Sequence, residues 1–419
     1  NVLFPKAHQL DVSKYINDNI NVDSNYGLIK NKNVVIIQVE ALQSTFINKS
    51  YNNKPVTPFL NSLVNNDSFY FENYFCQVGL GNTSDAEMAI NNSIFPSDKA
   101  SAYEKYADND YYGLPHILKE NGYKTTNVFH GNTPEFWNRK EAYPNQGFDR
   151  FYSSEDFTES YKINFGINDE EFFEQSADII SKSETPFYSF LITVSSHHPF
   201  TIDQGLCDIE LKDEDKNTLF GNYICSINYV DSSIEKFINR FKENGLYDDT
   251  VFVIYGDHFG LPNYDEDSYL RLSDYLGREY TYIDMLSVPM IIHIPNSNIK
   301  QKIQTVAGHV DFLPTFLHLM GIKNNKSIMM GKDIFSTDDN IVVEQLLIGN
   351  GSIITNDYLY YVSSSGINTF NKAYSLKSKK QIEIADDMNK KSKQALGYIE
   401  DANAILANNM IRINQPNII

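Results

Sequence analysis

Val251-Phe252-Val253-Ile254-Tyr255-Gly256-Asp257-His258-Phe259-Gly260 decides how the chain is read. Its first five residues form a β-branched and aromatic run, the texture of a strand buried on both faces. The run stops at Gly256, so Asp257 and His258 fall at the strand's carboxyl end, where open α/β sheets place their ligands. A carboxylate beside an imidazole there points to a metal site. An adjacent Asp-His pair alone is more often a surface or capping pair, so the reading needs partners.

Asn33-Val34-Val35-Ile36-Ile37-Gln38-Val39-Glu40 supplies the first, a second apolar run ending in a carboxylate, Glu40. Two strands thus deliver acidic side chains to one rim of the sheet. The second partner lies in Gly79-Leu80-Gly81-Asn82-Thr83-Ser84-Asp85-Ala86-Glu87, a glycine-rich turn feeding a segment whose Ser84-x-x-Glu87 spacing predicts a capping box. Thr83 then stands at a helix N-terminus, where backbone amides and the dipole favour an anion. A hydroxyl held there on a metal loses its proton more easily, which makes Thr83 the candidate nucleophile.

Further motifs lie between these points. Asn127-Val128-Phe129 is a short strand closed by His130, and Phe190-Leu191-Ile192-Thr193-Val194 is one closed by the pair His197-His198 before Pro199. An imidazole of near-neutral pKa at His130 could protonate a leaving alkoxide; the alternative is a hydrogen-bonded loop histidine. Trp137, the only tryptophan, sits two residues before Arg139 in a polar, proline-containing segment that reads as a loop. The planar guanidinium suits bidentate phosphate contact, and Trp137 either walls that contact or anchors the loop to the core.

Together these motifs resemble the lipoteichoic acid synthases, a family of the alkaline phosphatase and sulfatase superfamily. The resemblance runs from about Asn33 to about Gly321 and is carried by Val39-Glu40, Gly81-Asn82-Thr83-Ser84-Asp85, Phe129-His130-Gly131, Phe136-Trp137-Asn138-Arg139, His197-His198-Pro199-Phe200, Tyr255-Gly256-Asp257-His258 and Val310-Asp311-Phe312-Leu313-Pro314-Thr315. It implies one divalent ion, manganese first and magnesium second, held by Glu40, Thr83, Asp257 and His258, with Thr83 forming a covalent intermediate. It implies that Trp137, Arg139 and His197 hold glycerol phosphate, that His130 is a further active-site residue and that His198 is a loop residue. The donor would be a phosphatidylglycerol-type lipid and the acceptor a glycolipid or growing polymer. Asn132 departs from the family pattern, which often has an acidic residue there. A phosphodiesterase, a phosphoethanolamine transferase and a catalytically silent binding domain are the alternatives on the same scaffold.

Two absences narrow the chemistry. The turn at Thr83-Ser84-Asp85-Ala86-Glu87 lacks the Pro and Arg of the Cys/Ser-x-Pro-x-Arg motif from which sulfatases make formylglycine, so sulfate ester hydrolysis is not expected. A second metal would need His309 and Asp311, but Gly308-His309-Val310-Asp311 reads as a loop opening an apolar helix that ends at Gly321.

Composition sets the outer bounds. The 419 residues, with 28 Tyr and 27 Phe, permit an extensive core and exclude a disordered chain. A net charge of −19 argues against nucleic acid and against a polybasic membrane face, so contact with anionic lipid would be local or come through a transmembrane region outside this chain. No long apolar run or signal peptide is seen, so the chain reads as a soluble domain, at the extracellular face of the cell membrane or secreted as a cleaved ectodomain. Cys76, Cys207 and Cys225 lack metal or redox spacing; a buried thiol is expected at Cys76, and pairing of Cys207 with Cys225 stays open.

Strand-like and helix-like segments alternate from Asn33 to Gly321, which predicts an α/β fold with a mostly parallel central sheet sandwiched by helices, as in sulfatases. The expected organisation is a lead-in at 1–30, a catalytic domain at 31–331 and, at 332–419, a small C-terminal subdomain of antiparallel strands and a terminal helix.

Overall fold

The computed structural model describes residues 10–16 and 21–413. Eight strands make the central sheet: β1 (Asn33–Val39), β2 (Ser68–Phe71), β3 (Thr125–His130), β4 (Arg150–Tyr152), β5 (Phe187–Ile192), β6 (Thr250–Gly256), β7 (Met290–His293) and β8 (Lys300–Ile303), in the order β8-β2-β7-β6-β1-β5-β3-β4. The run β6-β1-β5-β3-β4 is parallel throughout, and only β7 pairs antiparallel, with β6 on one side and β2 on the other. Every residue of β1, β5 and β6 is buried, which is why these strands read as unbroken apolar runs rather than alternating ones.

Register fixes the site. Val39 pairs with Gly256, so the next residue on each strand, Glu40 and Asp257, leaves the sheet at the same level. Ile192 pairs with both Gln38 and His130, so the loop after β5 and the end of β3 reach the same rim. Helices at Thr83–Asn92, Leu114–Glu120, Asp169–Ile180, Leu219–Glu243 and Phe312–Met320 cover the sheet.

Past Gly331 a second sheet of five antiparallel strands, β9 (Val342–Glu344), β10 (Ser352–Ile354), β11 (Tyr358–Tyr361), β12 (Lys372–Ser375) and β13 (Gln381–Ile382), packs with the helix Asp386–Ala407. Residues 1–9 and 17–20 of the segment read as a lead-in lie outside the described residues; within the rest, Tyr15 is buried and its hydroxyl donates to Asp401 of the terminal helix at 2.5 Å. Cys207 and Cys225 form a disulfide, and Cys76 is a buried free thiol. Among the described residues no helix is long and apolar enough to cross a membrane.

Glu344 on β9 is a polar residue inside this core. It is 2% exposed, its Oε1 has no hydrogen-bond partner, and burial pushes its carboxyl well above the usual range. The folded state therefore holds a proton that the unfolded chain gives up above the ordinary carboxylate pKa, and stability falls as pH rises through that window, by up to about 1.4 kcal/mol per pH unit. Glu344→Gln removes the titration: its melting temperature at pH 7 should exceed the wild type's, and the gap should close toward pH 4. An equal gap at both pH values would mean that the folded-state carboxyl is not raised, and a wild type more stable than the variant at pH 7 would mean that Glu344 is ionised and paired.

Candidate active site

Glu40 and Asp257 enter the site at neighbouring strand ends, with His258 one residue on. Ligand atoms of Glu40, Asp257 and His258 all lie within 4.8 Å of one another. His258 Nε2 is 3.3 Å from Glu40 Oε1 and 3.5 Å from Asp257 Oδ2. Each group is oriented by its other polar atom. Asp257 Oδ1 accepts from the Ala41 and His258 backbone N–H groups at 2.7 and 2.8 Å, and His258 Nδ1 donates to the Phe259 carbonyl at 2.8 Å, which turns Nε2 inward.

The electrostatics suit a cation. Burial opposes charge on Glu40, yet His258 beside it holds the carboxyl down at about 2. Burial and then Glu40 push Asp257 up to about 7, while burial of His258 is outweighed by Asp257 and Glu40, which carry it to about 10. Asp257 Oδ2 is buried with no hydrogen-bond partner. Two carboxylates and one imidazole, with an orphaned carboxylate oxygen facing them, fit a divalent ion of the manganese, magnesium or zinc type.

Thr83 joins the cluster. It is the first residue of the Thr83–Asn92 helix, and its Oγ1 donates to Glu40 Oε2 at 3.2 Å and lies 3.5 Å from His258 Nε2. The preceding turn is pinned by Asp85, whose carboxylate accepts from the Gly79, Gly81 and Ala102 N–H groups at 2.8–3.0 Å. A Cβ at Gly81 would come within 2.6 Å of Asp85 Oδ1, so that clasp needs glycine. From the sheet, Gln38 Nε2 donates to the Thr83 carbonyl at 3.1 Å.

The capping box read from Ser84-x-x-Glu87 does not form. Asn82 is the N-cap, with no side-chain cap hydrogen bond, and the Ser84 hydroxyl donates back to the Gly81 carbonyl. Glu87 points into the protein, where it pairs with Arg139 at 2.5 Å and accepts from the Tyr143 hydroxyl at 2.7 Å. The tertiary ion pair takes the carboxylate that the local pattern assigned to the helix end.

Arg139 is not on a loop, as expected from sequence, but opens the helix Arg139–Asn145, and its side chain is 1% exposed. Nε and Nη2 are occupied by Glu87, while Nη1 has only the Phe136 carbonyl at 3.4 Å. Nη1 therefore has donor capacity to spare, although the side chain is buried and does not line the active-site cavity. Trp137 sits in a short turn of 3₁₀ helix with positive φ (57°), its ring edge-on to Phe136.

His130 differs from the reading as a proton donor. Burial, then Arg139, lowers its imidazole to about 3, so the ring is neutral. Nδ1 donates to the Ile192 carbonyl at 2.9 Å, which leaves Nε2 as an acceptor. Asn132 is buried with its Nδ2 unpartnered.

The loop after β5 is tied to the metal side. Thr193 Oγ1 accepts from the Glu40 N–H at 3.0 Å, and the Ser196 hydroxyl donates to the Glu40 carbonyl at 2.6 Å. Asp169 grips the same loop, accepting from Val194 and Ser195 N–H at 2.9 and 3.0 Å. His197 Nδ1 donates to the His198 carbonyl, and its ring packs edge-on to Phe165 at 4.4 Å. His309 and Asp311 do not join the cluster: His309 Nε2 donates to the Gly256 carbonyl, and Asp311 accepts from the Gly308 and Lys332 backbones and from Asn340.

Part of this set lines a cavity of about 550 Å³; Asp257, His130 and Arg139 lie behind its surface and are not among the lining residues. Glu40, Asn82, Thr83, His197, His198, His258 and Asp265 form its polar part, Phe136 and Trp137 one aromatic side, and Phe200, Leu219, Phe259, Pro262 and Tyr264 an apolar wall. Sequence reading missed that wall; only Phe200 and Phe259 belong to motifs it used, and neither was read as lining a cavity.

Comparison with known proteins agrees with this architecture. Residues 32–322 match the sulfatase family model. The chain is 37% identical over 380 residues to the lipoteichoic acid synthase of Staphylococcus saprophyticus, covering 87% of this chain and 58% of that protein. It is 35% identical over 416 residues to lipoteichoic acid synthase 2 of Bacillus subtilis, covering 97% and 61%. The crystal structure of the lipoteichoic acid synthase LtaP from Listeria monocytogenes superposes with a TM-score of 0.86 at 31% identity, over 96% of this chain and 99% of that one. The chain belongs to the sulfatase family and, within it, to the lipoteichoic acid synthases. It spans about three fifths of the length of the curated relatives it matches.

Proposed function

We propose that this chain is a glycerophosphotransferase that moves glycerol phosphate from phosphatidylglycerol to a glycolipid or growing polymer at the outer face of the membrane. The observation that carries the reading is the placement of the Thr83 hydroxyl at a helix N-terminus within 3.2–3.5 Å of Glu40 and His258, inside the carboxylate and imidazole cluster. Family membership supports the choice of substrate class.

In the first step the Thr83 Oγ–P bond forms as the P–O bond to diacylglycerol breaks, and the hydroxyl proton ends on the departing diacylglycerol. In the second the terminal hydroxyl of the acceptor attacks phosphorus, the Oγ–P bond breaks and the acceptor's proton returns to Thr83. A divalent ion held by Glu40, Thr83, Asp257 and His258, manganese by our reading, would lower the proton affinity of the threonine and neutralise phosphate oxygens. Arg139 Nη1 and His197 donate to those oxygens, Trp137 walls the glycerol, and the unprotonated Nε2 of His130 accepts from a glycerol hydroxyl. Residues 31–331 would carry all of this chemistry, with 332–419 as a bracing subdomain.

Vesicles containing phosphatidylglycerol test the proposal. With manganese, the protein should release diacylglycerol and lengthen a glycolipid acceptor; a chelator should stop both, and added metal should restore them. Free glycerol phosphate in place of polymer would make it a phosphodiesterase. No turnover with any divalent ion would leave a silent binding domain.

A further inference from the structure

A phosphodiester has two ester arms, and they must leave phosphorus in different directions. With phosphorus at Thr83, the glycerol arm is assigned above to the side of Trp137, Arg139 and His197. What the cavity offers elsewhere is the apolar wall of Phe200, Leu219, Phe259, Pro262 and Tyr264. Trp137 already walls the short carbon skeleton of the glycerol, and a second apolar wall five residues long exceeds what glycerol or phosphate can cover. Its rings continue one another from the metal cluster outward: His258 to Phe259 at 6.1 Å, then Phe259 to Tyr264 at 6.4 Å, and Tyr264 is 70% exposed at the mouth. The wall is therefore buried at the reacting end and wet at the other, as an amphipathic strip between a polar site and a lipid surface should be.

Charge argues the same way. A chain carrying −19 gains nothing from overall charge at an anionic bilayer, which favours apolar surface as the source of local lipid contact at this mouth.

We propose that this wall is the leaving-group subsite, which seats the acylated glycerol of the lipid donor while its phosphorus is at Thr83. The proposal rests on the reading of Thr83 as nucleophile toward a lipid phosphodiester, and it adds that acyl contact in the cavity, beyond headgroup chemistry, selects the donor.

The test compares two donors: monomeric dihexanoyl phosphatidylglycerol below its critical micelle concentration, and glycerophosphoglycerol, the same headgroup without acyl chains. Release of the alcohol arm is followed with manganese present. Wild type should prefer the acylated donor in kcat/KM by tenfold or more. Leu219→Ser with Tyr264→Ser should cut that ratio about tenfold, and Tyr264→Phe should keep it. Tyr264 is largely exposed, while Leu219 is part-exposed but packs against the core, so the melting temperature of the double variant is measured alongside and Tyr264→Ser alone should lower the ratio in the same direction. An unchanged ratio in the double variant, or a wild type indifferent to acylation, overturns the subsite. Failure of wild type to use either donor overturns the transferase reading itself, a different result.

Discussion

Thr83→Ala leaves a folded protein that no longer releases diacylglycerol from phosphatidylglycerol. The hydroxyl contributes a side-chain hydrogen bond to Glu40 at 3.2 Å, worth about 1 kcal/mol or somewhat more because the acceptor is charged, and a longer contact with His258 Nε2 at 3.5 Å that adds little. The helix does not depend on it, since Asn82 is the N-cap and the turn is held by Asp85. The melting temperature should therefore stay within about 4 °C of wild type. Turnover should fall on the order of 10⁴-fold or more, as it does when a nucleophile is removed. Thr83→Ser keeps the oxygen and should retain part of the activity. Quenched wild type should carry one glycerol phosphate on the peptide containing Thr83. Near-normal turnover by the alanine variant would move the attack to water and reduce Thr83 to a ligand.

Residues at strand ends were legible in the sequence because a parallel strand buried on both faces is a continuous apolar run whose last residue marks the rim. Glu40, Asp257 and His130 were each placed this way, and the register Val39 to Gly256 carries Glu40 and Asp257 to one level; His197 lies in the loop beyond the end of β5 at Ile192. The alternation of strand and helix gave the sheet's class, but not its one antiparallel strand, β7, whose composition is as apolar as its neighbours'. Contacts between residues far apart in the chain were not legible. Glu87 had a local partner pattern that looked sufficient, and nothing in the sequence said that Arg139, 52 positions on, would take it. The proton state of His130 depends on burial and on the Arg139 charge, neither of which a linear motif encodes. The apolar wall is assembled from segments near 200, 219 and 260, so its continuity exists only in three dimensions.

The Glu87–Arg139 pair changes what a substitution at Arg139 reports. Both side chains are essentially inaccessible, at 0% and 1% exposure, and the guanidinium meets the carboxylate through Nε and Nη2. Truncation to alanine leaves Glu87 buried with only the Tyr143 hydroxyl as partner. Breaking one side of such a pair typically removes about 3–5 kcal/mol, a large part of a domain's total stability. Arg139→Ala should therefore unfold at markedly lower denaturant, and its lost activity would mix a lost phosphate contact with a loosened site. Combining Arg139→Met with Glu87→Gln removes both charges, so the double variant should be more stable than the sum of the two single losses predicts, by 1 kcal/mol or more. Arg139→Lys keeps a cation for Glu87 but gives up the planar fork that frees Nη1. It should recover much of the stability while transfer stays low, which would locate the phosphate contact at Nη1. A wild-type denaturation midpoint for Arg139→Ala would show that the pair adds nothing, and the guanidinium would then serve substrate alone.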